Sequence, residues 1–304
     1  MTAKRNTGYA YALTCIALWS LIPVVSRFGQ STLDNFQFLF WSNALSLLVV
    51  GACLAAAKGL RSLRRFTLRQ SLYVMFLGAL GCAIYYLCLY YGYAHGAGIE
   101  VLVLQYAWPI LIIILSVFLL GERLTPRAWL AVGAGFLGIL IVLTKGDLLS
   151  LRISSAATTA VVLAGAFAFA LFSVLSKRFA GEPYAVTTLL FVGGLLVSIV
   201  SLLAVSEFAL PRREELVPVV VNGALVNGIS YILWLKALER VTASVSAVLV
   251  FLSPVLSSIW IVLVFDEPFS LSYLIGFALV LGAGFMCVRA AAEAAAAPPT
   301  PSAL

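Results

Sequence analysis

Residues able to do acid, base, nucleophile or metal chemistry are few here and poorly placed for it. The one histidine, His95, sits in a break between two apolar runs. Asp34, Asp147 and Asp266 also lie in breaks, and Glu100 falls within a turn of the start of a run. His95 with Glu100 reads as an interfacial pair rather than a proton site. The five cysteines (Cys15, Cys53, Cys82, Cys88, Cys287) fall inside apolar runs with no CxxC pair. They read as small buried hydrophobes. A hydrolase or lipid transferase would need paired aspartates, a Ser-His pair or a metal cluster at depth. None is written here, so no catalytic residue, metal or cofactor is expected. What remains is binding chemistry. Asn227, Tyr231 and Trp234 share a helical face by their spacing, and Tyr86, Tyr90 and Tyr93 share another. Gln105, Trp108 and Ile112 form a third face, and Val250, Ser253 and Ser257 a fourth. Neutral amides and hydroxyls beside aromatic rings suit a ligand with a ring and a small polar head.

The elements that carry these faces follow from composition. Hydrophobic residues make up 63% of the chain and charged residues 10%. Mean hydropathy is +1.09. A soluble domain needs roughly a quarter of its residues charged, so the solvent here is lipid. Lipid admits only helices or closed barrels, because every backbone polar group must be satisfied within the protein. The apolar runs are continuous over about twenty residues, which makes them helices rather than alternating barrel strands. Ten spans are expected, at 8–29, 36–57, 70–93, 97–119, 126–144, 154–178, 184–206, 215–236, 241–264 and 271–290. No small-x-small cleavage site interrupts the first run, so it is expected to stay. The Ala/Pro-rich stretch 291–304 reads as a disordered tail.

Charge sets direction. With the N-terminus cytoplasmic, fourteen of the 19 Lys and Arg fall inside and five outside, the five being Arg27, Lys145, Arg152, Arg212 and Arg213. Both termini are therefore expected inside. The net charge of +7 follows from that asymmetry and calls for no nucleic acid. The loop "KGLRSLRRFTLR" reads first as a topology signal and second as a contact for anionic lipid heads.

The chain also repeats itself. Shifted by 145 residues, Pro109 meets Pro254, Glu122 meets Glu267, Gly78-Ala79-Leu80 meets Gly223-Ala224-Leu225, and Tyr86 meets Tyr231. The greasy run ending at Gly121-Glu122 and the one ending at Asp266-Glu267 are thus the same hairpin. Thr125-Pro126 supplies a cap and a first-turn proline after it. Glu122 and Glu267 read as turn chemistry near a helix start rather than transport groups. Residues 1–150 form one five-helix unit and 151–290 a second. Five is odd, so the second unit enters the membrane from the opposite side, the inverted repeat typical of secondary transporters.

"PILIIILSVFLLGERLTPRAWLAVGAGFLGILIVL" (109–143) resembles the EamA-type repeat of the drug/metabolite transporter superfamily. The second copy matches at Pro254, Glu267 and Gly276, with Asp266 in place of the usual Gly. The whole chain resembles the YddG-type aromatic amino-acid exporters of bacterial inner membranes. That resemblance implies ten helices around a central cavity and export of aromatic amino acids.

In an inverted repeat the substrate sits near mid-bilayer between the units. Expected lining residues are Trp19, Asn43, Tyr86, Tyr90, Gln105, Trp108, Asn227, Tyr231, Trp234 and Ser253. Pro23, Pro109 and Pro254 are expected hinges, since proline frees a carbonyl one turn back. Trp41, Trp129 and Trp260 read as interface anchors, and Trp234 as either lining or anchor. Small residues on the fifth span (Ala131, Ala134, Gly135, Gly138) and the tenth (Ala278, Gly282) permit close packing within a monomer, with dimerisation the weaker alternative. No buried carboxylate relay is visible, so facilitated movement is expected. A multidrug or other metabolite exporter of the same superfamily is the first rival, and a pore the second.

Overall fold

The computed structural model describes residues 2–296, apart from 58, 96–97, 123, 151–154, 180 and 267–269. Every regular element among them is helical. Among the described residues, ten helices are long and apolar enough to cross a membrane. They are α1 Arg5–Gly29, α2 Asn35–Ala56, α3 Leu68–Gly92, α4 Val103–Leu120, α5 Pro126–Leu143, α6 Ala156–Arg178, α7 Pro183–Val205, α8 Arg213–Leu238, α9 Ala243–Phe265 and α10 Leu271–Arg289. The expected spans match to within a few residues. Large apolar side chains left uncovered, such as Leu48, Phe118, Leu203 and Phe285, are the surface a lipid solvent would cover. Beyond Arg289 the helix runs on to Ala296. The first part of the expected disordered tail is therefore helical, as an alanine-rich stretch favours. Residues 297–304 and Glu267 lie outside the described residues.

The 145-residue register reappears in the backbone. α4 begins within a helical segment that starts at Gly98 and stops at Gln105, and the helix resumes at Ala107. α9 stops at Val250 and resumes at Leu252. The interrupting residues, Tyr106 and Phe251, stand in the same register. Pro109 and Pro254 follow in the first turn of the resumed helix, where a missing N–H is tolerated. α1 breaks likewise at Ser20-Leu21, with Pro23 in the first turn beyond. α3 and α8 each contain a π-helical stretch, Ala79–Ile84 and Val221–Ile229, ending at equivalent residues. α4 and α9 both end on a left-handed residue, Gly121 at φ 68° and Asp266 at φ 52°. Asp is one of the few side chains that tolerate this conformation.

Glycines set two helix crossings. A Cβ on Gly78 of α3 would lie 1.9 Å from the Leu190 carbonyl oxygen of α7, and one on Gly193 would lie 1.9 Å from that of Met75. α5 and α10 meet in the same way: a Cβ on Gly138 would come within 2.9 Å of the Gly276 carbonyl. Of the small residues expected there, Gly135 and Gly138 of α5 meet Ala283 and Gly276 of α10, whereas Ala278 and Gly282 are exposed and a Cβ on Gly282 would meet nothing within 4 Å.

Candidate functional site

Successive spans alternate in direction, so the ends of α1, α3, α5 and α9 and the starts of α2 and α10 share one face of the bundle. A cavity of about 920 Å³ opens on that face. Its outermost lining is Arg27 and Gln30 at the end of α1, Asn35 at the start of α2, Lys145 just past α5, and Tyr273 at the start of α10. Its deepest lining comes from mid-span residues Trp19, Trp108 and Phe169.

Those three rings form the floor. Trp19 meets Trp108 and Phe169 edge-on, each with centroids 6.0 Å apart, and Trp108 meets Phe169 at 4.7 Å. These are the tilted geometries that aromatic quadrupoles prefer. The Trp19 indole N–H donates to the Ser230 hydroxyl at 2.8 Å, which ties the floor to α8. Just beyond Trp19, the break in α1 exposes polar groups that α9 satisfies. Ser257 donates to the Ser20 carbonyl at 2.9 Å, and the Trp260 indole donates to the Ser20 hydroxyl at 3.0 Å. Above the floor, the walls carry Tyr86, Tyr90, Gln105, Tyr106 and Ser253. Gln105 accepts from the Tyr85 hydroxyl at 3.4 Å. Tyr106, at the interruption in α4, and Ser253 of α9 line the same cavity.

Of the residues singled out by spacing, Trp19, Tyr86, Tyr90, Gln105, Trp108 and Ser253 line this cavity, as do Pro23 and Pro254. Asn43, Asn227, Tyr231, Trp234 and Pro109 do not; they stand behind its wall. Four of these are expected lining residues; in this structure their side chains engage the protein itself, and the π-helical stretches give much of the reason. Irregular backbone in a lipid-facing bundle leaves carbonyls that need donors. Asn43, fully buried, donates to the Cys82 carbonyl at 3.0 Å and to the Ser198 hydroxyl at 2.7 Å. Tyr231 donates to the Gly81 carbonyl at 2.8 Å. Ser46 does the same for Gly223 in the other π stretch, also at 2.8 Å. Asn227 is itself part of that stretch and accepts a long bond, 3.5 Å, from Tyr86. Trp234 is fully buried beneath Trp19, centroids 5.2 Å apart, and its N–H reaches the Ser173 hydroxyl at 3.3 Å. It is neither lining nor interface anchor. His95 stacks on Tyr91 at 4.1 Å, and the side chains of Glu100 and Tyr93 lie outside the described set.

Sequence spacing missed Phe169, Tyr85, Tyr106, Arg27 and Lys145. Phe169 sits in "AGAFAFALF", where no polar residue marks a face. Arg27 carried a signal that went unread. It follows Trp19 and Pro23 at i+4 spacing, and its charge also serves as a topology signal.

The opposite end of the bundle is closed by polar contacts between elements of both halves. The Glu122 carboxylate accepts from the backbone N–H groups of Ala243 and Ser244, at 2.8 and 3.1 Å, and from the Ser244 hydroxyl at 2.6 Å. It thereby caps the start of α9, where the helix dipole favours an anion. Ser244 also bonds Ser116 of α4 at 2.8 Å. Lys177 of α6 donates to the carbonyls of Leu238 and Val241, each at 2.5 Å, and Arg178 donates to the Leu119 carbonyl. Among the described residues, no group of three or more His, Cys, Asp or Glu could hold a metal.

Ten spanning helices in two matching halves, closed at one end around a pocket that opens at the other, define a multi-pass membrane transporter. The chain belongs to the EamA-like transporter family, which it matches over residues 6–144 and 157–289. It is 26% identical over 280 residues to the aromatic amino acid exporter YddG of Ancylobacter novellus, covering 92% of this chain and 96% of that protein. It is 24% identical over 263 residues to the S-adenosylmethionine uptake transporter of Rickettsia prowazekii, covering 86% and 85%. An uncharacterized transporter of Bacillus subtilis, YyaM, is 28% identical over 183 residues, 57% of this chain; the chain spans 58% of that relative's length. A solved crystal structure superimposes with a TM-score of 0.83 at 23% identity, covering 94% of this chain and 98% of that one.

Proposed function

We propose that this protein is a secondary transporter of the bacterial inner membrane that exports aromatic and related neutral amino acids by alternating access. The observation that carries this reading is the aromatic floor of Trp19, Trp108 and Phe169 at the base of a one-sided cavity with hydroxyl and amide walls. A ring docks on such a floor, and hydrogen bonds hold its polar head. The YddG relatives support the same cargo. The Lys/Arg bias puts both termini in the cytoplasm, which makes the cavity face outward and the Glu122–Ser244 end face the cytoplasm. The working unit proposed is a monomer. The broken helices at Tyr106 and Phe251, with Pro109 and Pro254 beyond, are the hinges of the change between states. The two π stretches, with Asn43, Asn227 and Tyr231 bound into them, form the frame about which the halves rock.

Purified protein in sealed vesicles should move labelled phenylalanine or tryptophan saturably and with trans-stimulation, and alanine or lysine should compete poorly. Non-saturable flux would point to a pore. Movement of a quaternary ammonium drug with no aromatic flux would end the amino-acid reading.

The inner closure makes a separate prediction. Glu122→Gln with Ser244→Ala removes the charge-assisted bonds at the start of α9, each worth about 1.5–3 kcal/mol. A cysteine introduced at Val241, at the cytoplasmic end, is expected to react severalfold faster with a membrane-impermeant maleimide in this variant. An unchanged rate would show that these bonds do not hold that end shut.

A further inference from the structure

We infer that the cavity selects for a carboxylate on its aromatic ligand, and that Arg27 is the residue that reads it. This rests on the aromatic-cargo reading above and deepens it. The formal charges lining the cavity, among the described residues, are both positive: Arg27 and Lys145. Arg27 is exposed at the cavity mouth, and its guanidinium carbon lies over the Phe265 ring, 4.1 Å from the centroid. Stacking occupies the face of a guanidinium and leaves its N–H edges for a planar anion. Those edges form the fork that matches a carboxylate with two parallel bonds. Among the described residues, Arg27 meets no carboxylate.

The spacing fits. Trp19 and Arg27 are eight residues apart on α1, about 12 Å when a rise of 1.5 Å per residue is carried through the break at Ser20-Leu21. A ligand ring packed on the floor takes up about 4.5–7 Å of that. The ligand's own chain and the reach of the arginine cover the remainder. Between the two levels the lining offers Tyr86, Gln105 and Ser253, neutral groups that provide no counter-charge for an ammonium. An aromatic acid without an amino group therefore keeps every charged contact that phenylalanine makes. An aromatic amine loses the carboxylate and meets two cations. S-adenosylmethionine adds a sulfonium to the same field.

The test is competition against labelled phenylalanine flux in vesicles, using 3-phenylpropionate, phenethylamine and S-adenosylmethionine. Phenylpropionate is expected to compete at concentrations similar to or below those of phenylalanine, and the two cationic compounds at least tenfold more weakly. Arg27→Gln should raise the half-inhibitory concentrations of phenylalanine and phenylpropionate at least tenfold while lowering that of phenethylamine, which sheds a like charge, and Arg27→Lys should recover part of the loss. Lys145→Gln, at a site outside the stack on Phe265, should shift the same two compounds in the same direction but less. If phenethylamine competes as well as phenylpropionate, or Arg27→Gln changes all compounds alike, the carboxylate inference fails and the aromatic cargo stands. If phenylalanine does not move at all, the cargo reading fails and this inference falls with it.

Discussion

Trp19→Ala is expected to weaken aromatic transport strongly while leaving a folded protein. Trp19 is 5% exposed and touches Trp108, Phe169, Tyr231 and Trp234. Its ring separates the cavity from the packed layer of Tyr231 and Trp234 beneath. Removing it takes away the floor's centre and leaves the Ser230 hydroxyl without its indole donor. A ligand ring would lose one or two edge contacts, each worth about 0.5–1.5 kcal/mol beyond burial. Apparent affinity for phenylalanine should fall roughly 10- to 100-fold, which is about 1.4–2.8 kcal/mol. Trp19→Phe keeps a ring there and should retain most of the flux, losing only the hydrogen bond. A monodisperse elution profile in detergent separates this outcome from unfolding. If Trp19→Ala transports aromatic amino acids with unchanged affinity, the floor is not where the ring binds.

The second large effect is on folding. Gly78→Ala puts a methyl carbon 1.9 Å from the Leu190 carbonyl oxygen, and Gly193→Ala does the same against Met75. Ordinary contact begins near 3.4 Å, so α3 and α7 must move apart by about 1.5 Å. The clash is with backbone on both sides, so no rotamer change relieves it. Overpacking usually costs about 1–3 kcal/mol, and this case should exceed that range. The same displacement pulls α3 from the frame that serves its π stretch, including the bonds from Asn43 and Tyr231. Both variants should be recovered poorly or elute as aggregate, and the double variant worse. Gly133→Ala is the control, because a Cβ there meets nothing within 4 Å. It should behave as the parent or better, since replacing a mid-helix glycine with alanine is worth roughly 0.5–1 kcal/mol. Normal recovery of Gly78→Ala would mean that the two helices are not this close.

What the sequence determined on its own was the solvent, the number of spans and the repeat. Those follow from one-dimensional facts. A chain with 63% hydrophobic and 10% charged residues has to live in lipid, and runs of about twenty residues have to be helices there. The 145-residue register needed only matched Pro, Gly and Tyr, and the helix breaks at Tyr106 and Phe251, the π stretches and the left-handed caps all obey it. Aromatic faces on α3 and α4 were legible because helical spacing puts Tyr86 with Tyr90, and Gln105 with Trp108. Tertiary structure alone decided which polar residues face the cavity. Asn43 and Tyr231 have the same mid-span depth and chemistry as Gln105 and Tyr86, and no pattern in the chain separates them. They differ because backbone carbonyls of a π stretch lie beside the first pair and claim their donors, while the second pair borders space. Arg27 shows the converse. Its charge reads as topology in one dimension, and only the packing of Phe265 against α1 turns it into an oriented group over a pocket.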